Sequence, residues 1–156
     1  MEDFDWKGIS FDFYEIRNFS QLRNCKFILG DATKHDYNFI FESNGVPKVI
    51  DYLSIDIDAL SLVALKKIPL SEYECKIITI EHDWYWYGNV LRSGQRQILS
   101  DLGYFLLCSD VGGIKPDKSV VFFEDWWIHP KHIDINKFIN IKCDKLCYKD
   151  ILSKFH

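Results

Sequence analysis

The chain has 156 residues, of which 47% are hydrophobic and 16% aromatic, so its size and composition exclude a disordered chain and predict one compact domain. Its formal net charge of -4 provides no basic field, and nucleic acid is therefore not expected as a partner. No apolar run approaches the roughly 20 residues that span a bilayer, and the first residues lack the features of a signal peptide. We expect a cytoplasmic protein without a membrane partner, forming a single domain over 1–156 with a core at about 6–130 and a C-terminal cap at about 131–156.

Short apolar segments that suit strands alternate along the chain with helical patterns. The predicted strands are 6–13, 25–29, 49–58, 75–83 and 104–108. The predicted helices are 16–24, 37–42, 60–67 and 90–102, the third stopped by Pro69 and the last by Gly103. Gly112, Gly113 and Pro116 indicate an irregular link to a last edge strand at 120–123, for which an antiparallel direction is open.

The repeated order of strand, helix and strand indicates the architecture. Short connections between such units demand right-handed crossovers, which place successive strands parallel to one another. We therefore predict a Rossmann-like α/β fold, a mostly parallel sheet with helices on both faces.

Carboxylates follow two neighbouring predicted strands at the point where each strand ends. Asp56 and Asp58 close the segment 49–58, and Glu81, His82 and Asp83 close the segment 75–83. Because ligands bind outside the carboxyl ends of strands in open α/β sheets, these side chains are predicted to form one site. For Asp58 an equal alternative is a cap on the helix that follows.

Several motifs along the chain resemble the FkbM-type family of S-adenosylmethionine-dependent methyltransferases. They are WKGISFDF at 6–13, GDA at 30–32, IDYLSIDID at 50–58, IEHD at 80–83, LGY at 102–104 and EDWWIHP at 124–130. The resemblance covers about 6–130 and is specific as a set, although each motif alone is weak. It implies a class I methyltransferase-like fold that is N-terminally truncated, since the first strand and glycine-rich turn of that fold would lie before Met1.

The resemblance also implies a cofactor site for S-adenosylmethionine. The Asp12 carboxylate would accept hydrogen bonds from the ribose hydroxyls, and Asp31 with Ala32 would contact the adenine. A simple role as a turn residue is the alternative for Asp31. Without the glycine-rich turn we expect weak cofactor binding, together with an unpaired sheet edge through which the chain self-associates or recruits a strand.

Methyl transfer to a hydroxyl needs a deprotonated acceptor, and two mechanisms fit the acidic ends of the strands. His82 or one of the carboxylates Asp56, Asp58 and Glu81 can act as general base, histidine having the ordinary pKa closest to neutrality. Alternatively, these oxygens can hold a divalent cation such as magnesium. His82 stands where an oxygen ligand would be expected, so the general base is favoured and no metal site is assigned.

Two aromatic runs accompany these residues. The run 84–87 (WYWY) either stacks on a sugar or planar acceptor, or covers the core. Trp126 and Trp127 cannot both face one core in an extended chain, so one of them is expected to face the cleft or a partner. Their polar neighbours Glu124, Asp125 and His129 can simply hold the loop in place.

The leading functional hypothesis is therefore an S-adenosylmethionine-dependent O-methyltransferase, or a truncated remnant of one, acting on a hydroxyl of a small molecule or sugar. A non-catalytic binding or assembly module with the same fold is the alternative, favoured by the missing glycine-rich turn. A metal-dependent hydrolase ranks last because the sequence shows no hydrolase signature. The five cysteines show neither a zinc spacing nor a disulfide framework.

Overall fold

The computed structural model describes residues 7–15 and 25–155, which contain two β-sheets flanked by helices. The strands are β1 Ile9–Asp12, β2 Lys26–Leu29, β3 Val49–Ile55, β4 Glu74–Glu81, β5 Phe105–Ile114, β6 Val120–Ile128 and β7 Cys143–Asp144. The helices are α1 Tyr37–Ser43, α2 Ser61–Lys67, α3 Trp84–Tyr87, α4 Asn89–Asp101 and α5 Tyr148–Leu152. Short 3-10 turns lie at Asp58–Leu60, Ile135–Lys137, Ile139–Ile141 and Ser153–Phe155, and the helix predicted at 16–24 falls outside the described residues.

The larger sheet is mixed, and this overturns the predicted architecture. Its strand order is β3-β4-β6-β5-β7, in which β3 pairs parallel with β4 and β5 with β7, whereas β6 runs antiparallel to both of its neighbours. The strands β1 and β2 form a separate parallel pair. The prediction of one mostly parallel, Rossmann-like sheet of the class I methyltransferase type is therefore wrong.

A tight hairpin explains the antiparallel strand. The Asp117 carboxylate accepts hydrogen bonds from the backbone N–H and the hydroxyl of Ser119, at 2.9 and 2.6 Å, and the Lys115 N–H donates to the Ser119 carbonyl at 2.8 Å. A turn this short can only join antiparallel strands. The segment predicted to be an irregular link thus contains the end of β5 and a turn, and the predicted edge strand is the central strand β6.

The helical patterns match helices in the structure at 37–42, 60–67 and 90–102. The Asp36 carboxylate caps α1 by accepting from the Phe39 N–H at 3.1 Å, and α4 ends beside Gly103, whose φ of 85° is left-handed. Neither the turn at Asp58–Leu60 nor α2 has a side-chain cap, so the alternative role of Asp58 as a cap is not observed. None of the helices in 7–15 and 25–155 has the length and apolarity that crossing a bilayer requires.

Two apolar clusters on opposite faces of β6 hold the larger sheet. Trp127 packs with Ile78, Ile80 and Leu99 of α4 in the first cluster. The neighbouring residue Ile128 belongs to the second cluster, because successive side chains of a strand point to opposite faces. That second cluster joins β5 to the C-terminal segment and contains Leu107, Val111, Ile141 and Ile151.

Candidate functional site

Five carboxylates meet at one edge of the larger sheet, where β3 and β4 end. Ile55 pairs with Ile80, so Asp56 and Glu81 follow at adjacent positions, and Glu124 of β6 is the direct cross-strand partner of Glu81. Asp58 and Asp83 both have left-handed backbones, with φ of 51° and 40°. We call Asp56, Asp58, Glu81, Asp83 and Glu124 the rim carboxylates. The structure thus brings together the predicted Asp56, Asp58, Glu81 and Asp83, and adds Glu124.

Three of the rim carboxylates, Glu81, Asp83 and Glu124, have raised pKa values. Burial, followed by the neighbouring Asp56 carboxyl group, raises the pKa of Glu81 to about 9, which favours its protonated form at neutral pH. Burial is also the first cause of the raised pKa of Asp83 and of Glu124, and the Asp56 charge adds to both. Because Asp56 itself is exposed, the adjoining pair of Asp56 and Glu81 is accessible from solvent.

His82 lies inside the protein and does not face the solvent. Its side chain is fully buried, with Nε2 at 3.3 Å from Oδ1 of Asp110 and 3.6 Å from Oδ1 of Asp125. These approaches are too poorly directed to satisfy Nε2 as a donor. Nδ1 accepts a long hydrogen bond of 3.4 Å from the Trp84 N–H. In this position His82 cannot reach a substrate, so the carboxylates fit the predicted general-base role better.

Two arginines of α4 neutralise the buried aspartates behind the rim. Arg96 binds Asp125 with two hydrogen bonds, from Nε at 2.7 Å and from its terminal nitrogen at 2.8 Å. Arg92 donates to Asp110 at 2.8 Å, and the Asp110 N–H donates to Asp125 at 2.9 Å. Burial alone would raise the pKa of Asp125, but the hydrogen bonds from Arg96 and the Asp110 N–H, with His82 close by, lower it to about 2. We call Arg92, Arg96, His82, Asp110 and Asp125 the buried network.

No role was predicted for Arg92, Arg96 or Asp110, although the sequence carries two signals for them. Arg92 and Arg96 lie one turn apart on a helix whose other face is apolar, and Asp125 interrupts an apolar strand. A buried charge inside an apolar strand needs a partner of opposite charge. Arg92 and Arg96, on the same face of α4, can supply it. The expectation that Asp125 holds its segment in place fits its bond to the Asp110 backbone of β5.

The trio of His82, Asp110 and Asp125 also has the ligand types of a metal site. Each residue offers one ligand atom, and these atoms lie within 4.8 Å of one another. However, the same aspartate oxygens already bind Arg92 and Arg96, so two positive charges compensate the two carboxylates. A divalent cation would have to displace both guanidinium groups, and we assign no metal to the trio.

The residues predicted to hold the cofactor lie at the end of the small sheet. One Asp12 oxygen accepts from the Tyr14 N–H at 2.9 Å, which leaves the second oxygen for ribose hydroxyls. Both oxygens of Asp31 are engaged, one with Thr33 and the other with Lys34 at 3.2 Å, and the Thr33 bonds lower the pKa of Asp31 to about 2. Asp12 therefore fits a ribose contact, whereas Asp31 is a turn residue that does not fit an adenine amino group.

Ala32 and His35 complete this edge of the small sheet. The Ala32 carbonyl accepts from the Tyr37 hydroxyl at 2.7 Å, so its backbone is fixed by the start of α1. His35 stacks on Phe11 with ring centroids 5.3 Å apart, and its buried Nε2 has no hydrogen-bond partner.

The two aromatic runs take different places. Trp84, Tyr85, Trp86 and Tyr87 are all substantially exposed on α3, so they do not cover the core. Trp127 is buried in the first cluster. Trp126 lies on the opposite face, where its indole N–H donates to Glu124. The tryptophan pair is therefore split as the alternation predicts, and Trp126 borders the rim carboxylates.

A shallow depression lies away from the rim carboxylates, between the end of α2 and α4. Its lining includes the apolar residues Leu65, Ile68, Ile98 and Leu102. The lysines Lys66 and Lys67 are the charged groups of that lining, and they suit no acid–base chemistry of the kind expected here. The rim carboxylates are therefore the better candidate site.

Comparison of the chain with protein-family models, with curated proteins and with solved structures finds no match in any of the three. The resemblance to the FkbM-type family therefore stays a prediction from short motifs. What the protein does has to follow from its own site and surfaces.

Proposed function

We propose that the protein is an S-adenosylmethionine-dependent O-methyltransferase that acts on a hydroxyl of a small molecule or sugar. The observation that carries the proposal is the adjacency of the Asp56 and Glu81 carboxyl groups at the adjoining ends of β3 and β4. A carboxylate whose pKa is raised to about 9 is a much stronger base than an ordinary one. An alcohol needs a base of this strength because a hydroxyl gives up its proton reluctantly.

Each residue of the proposed site has a distinct task. The minor fraction of Glu81 that is deprotonated at neutral pH accepts the proton of the acceptor hydroxyl as the acceptor oxygen forms its new bond to carbon, and the adjacent Asp56 carboxyl group orients Glu81. When bound, S-adenosylmethionine supplies a methyl group whose bond to sulfur breaks with the electron pair left on sulfur. Asp12 accepts the ribose hydroxyls through its second oxygen.

Substitution of the carboxyl pair tests the proposal. Transfer of a labelled methyl group to a panel of hydroxyl-bearing sugars should fall by roughly 100-fold or more in Glu81→Gln, because the base is lost. Asp56→Asn should lower the rate less, because it only orients the base. Asp51→Asn is the matched control, since Asp51 is an exposed β3 carboxylate that pairs with Lys76 at 2.6 Å outside the rim. Full activity of Glu81→Gln would contradict the role of Glu81 as general base.

A divalent cation such as magnesium is the second mechanism for the same site. Asp56, Glu81 and Glu124 offer hard oxygen ligands at the rim, and a bound cation would lower the pKa of the acceptor hydroxyl directly. Activity lost in a chelator and restored by magnesium would support the cation, whereas activity unaffected by the chelator would support Glu81 alone.

A non-catalytic binding module is the second candidate function, and the exposed aromatic residues of α3 favour it. In either case we place the protein in the cytoplasm, with a small-molecule or sugar ligand and with neither nucleic acid nor a membrane as partner. The net charge of -4 supports this proposal because anionic nucleic acids and lipid surfaces attract basic proteins.

A further inference from the structure

The helix α3 presents an unusual aromatic surface. It consists of a single helical turn in which all four residues, Trp84, Tyr85, Trp86 and Tyr87, are aromatic. Trp86 is 75% exposed and the other three are 38–44% exposed. A single turn cannot point four consecutive side chains at one core, so the exposure follows from the sequence itself. Clustered exposed aromatic residues of this kind mark binding surfaces in soluble proteins.

The aromatic surface is held in a fixed arrangement. The Asp83 carbonyl accepts from the N–H groups of Trp86 and Tyr87 at 2.8 and 3.1 Å, and the Trp84 carbonyl accepts from the Gly88 N–H at 2.9 Å. The left-handed backbones of Asp83 and Gly88 bound the turn on both sides. The Tyr85 and Trp86 rings contact each other with centroids 5.8 Å apart. Because these contacts already order the surface, a ligand that binds there loses little free energy to ordering the protein.

The charge beside this surface is negative. The Tyr85 side chain lies beside the Asp83 carboxyl group, which lies in turn near Asp56 and Asp58. Two cations lie near this surface. Arg92 stands over the Trp84 ring at 5.0 Å but binds Asp110. Lys115 stands over the Tyr85 ring at 5.6 Å and next to Asp117. An acidic ligand would be repelled by the rim carboxylates, whereas an ammonium group would be attracted to them and to the faces of the rings.

We propose that α3 and the adjoining rim carboxylates bind a carbohydrate chain that carries amino groups. The apolar face of a sugar ring matches an exposed aromatic ring, hydroxyl groups match carboxylate oxygens, and the ammonium groups match the negative charge. The inference names the acceptor class of the proposed methyltransferase and rests on that function for its role in catalysis. Binding itself requires neither cofactor nor methyl transfer.

Three oligosaccharide probes of equal length separate the parts of this inference. They are a glucosamine oligomer, its N-acetylated form and a galacturonic acid oligomer, which carry positive, neutral and negative charge. Titration calorimetry with the full chain should show the tightest binding for glucosamine, weaker binding for the N-acetylated form and none for galacturonic acid. The preference for glucosamine should shrink as salt is added.

Two variants assign the binding to the surface. Trp86→Ala should weaken binding about tenfold, as expected for the loss of one stacked ring, whereas Phe39→Ala should not, because Phe39 is a 69% exposed aromatic residue on α1. Asp58→Asn keeps the left-handed backbone and should weaken only the glucosamine oligomer. Equal binding of all three probes, no binding of any, or unchanged binding by Trp86→Ala would overturn the inference. Absence of methyl transfer with this binding intact would overturn the proposed function alone.

Discussion

At the scale of single residues, His82 is not a surface base as predicted but lies buried beside Asp125 as part of the structure. The sequence predicted His82 as a base and left Asp125 as a residue that holds its segment, yet both lie fully buried in one network with Arg96. Burying a charge is costly unless a partner compensates it, and the bidentate bond from Arg96 does so for Asp125. We therefore infer that the buried network stabilises the fold beneath the rim carboxylates.

Asp125→Asn tests this assignment. The substitution keeps the shape of the side chain but leaves Arg96 without its charged partner, so we expect a loss of unfolding free energy on the order of 3 kcal/mol in urea denaturation. Asp51→Asn is again the control and should change stability little, because the pair with Lys76 is exposed. Equal stability of Asp125→Asn and the wild type would contradict the role of the network.

The same residue predicts a pH dependence. The pKa of Asp125 is lowered in the folded protein from 3.8 to about 2, so its contribution to stability is present above pH 3.8 and lost as the pH falls toward 2. The acid limb of the stability curve should therefore be shallower in Asp125→Asn than in the wild type.

The acidic cluster itself was predictable from sequence, whereas its partners were not. Asp56 and Glu81 each follow an apolar strand, and adjacent parallel strands end side by side, so their meeting needed no further information. Glu124 joins them only because β6 pairs antiparallel with β4. The burial of His82 depends on α4 covering that face, which local sequence patterns do not encode.

At the scale of elements, the β5–β6 hairpin depends on one glycine. A Cβ atom at Gly112 would lie 2.7 Å from the Val121 carbonyl oxygen and 2.8 Å from the Phe122 ring. We expect Gly112→Ala to cost about 2 kcal/mol, because a backbone atom cannot move away without breaking the strand pairing. At Gly113 the nearest atom belongs to the Phe123 ring at 3.2 Å, which can rotate. Gly113→Ala should therefore melt at a higher temperature than Gly112→Ala, and the opposite order would contradict this explanation.

The hairpin also shows why the sheet was mispredicted. Apolar periodicity located the strands and helices well, because the spacing of apolar residues reflects which face of each element is buried. The glycines of β5 removed that signal, so its second half was taken for a loop. The position of β6 between β4 and β5 is set by tertiary packing. The sequence of a single strand does not specify which strands it pairs with.

At the scale of the whole molecule, β3 is a candidate for association. Within the part of the chain that the structure describes, β3 pairs with β4 alone, and its side chains Val49 and Tyr52 are exposed. An unpaired hydrophobic edge strand is a template for pairing with another chain. We propose self-association through β3, which light scattering after size-exclusion chromatography should detect as dimers. Tyr52→Lys should restore the monomer, and a wild-type monomer at high concentration would contradict the proposal.

The central claim is that Glu81 lies beside Asp56 and that the pKa of Glu81 is raised far above that of ordinary acids. NMR titration of the ¹³C-labelled side-chain carboxyl groups, assigned with Glu81→Gln, tests it most directly. We expect the Glu81 signal to titrate at about pH 9 in the wild type and at lower pH in Asp56→Asn, where the charge of the partner is gone. Titration of Glu81 near its ordinary value of 4.5 in the wild type would contradict the claim.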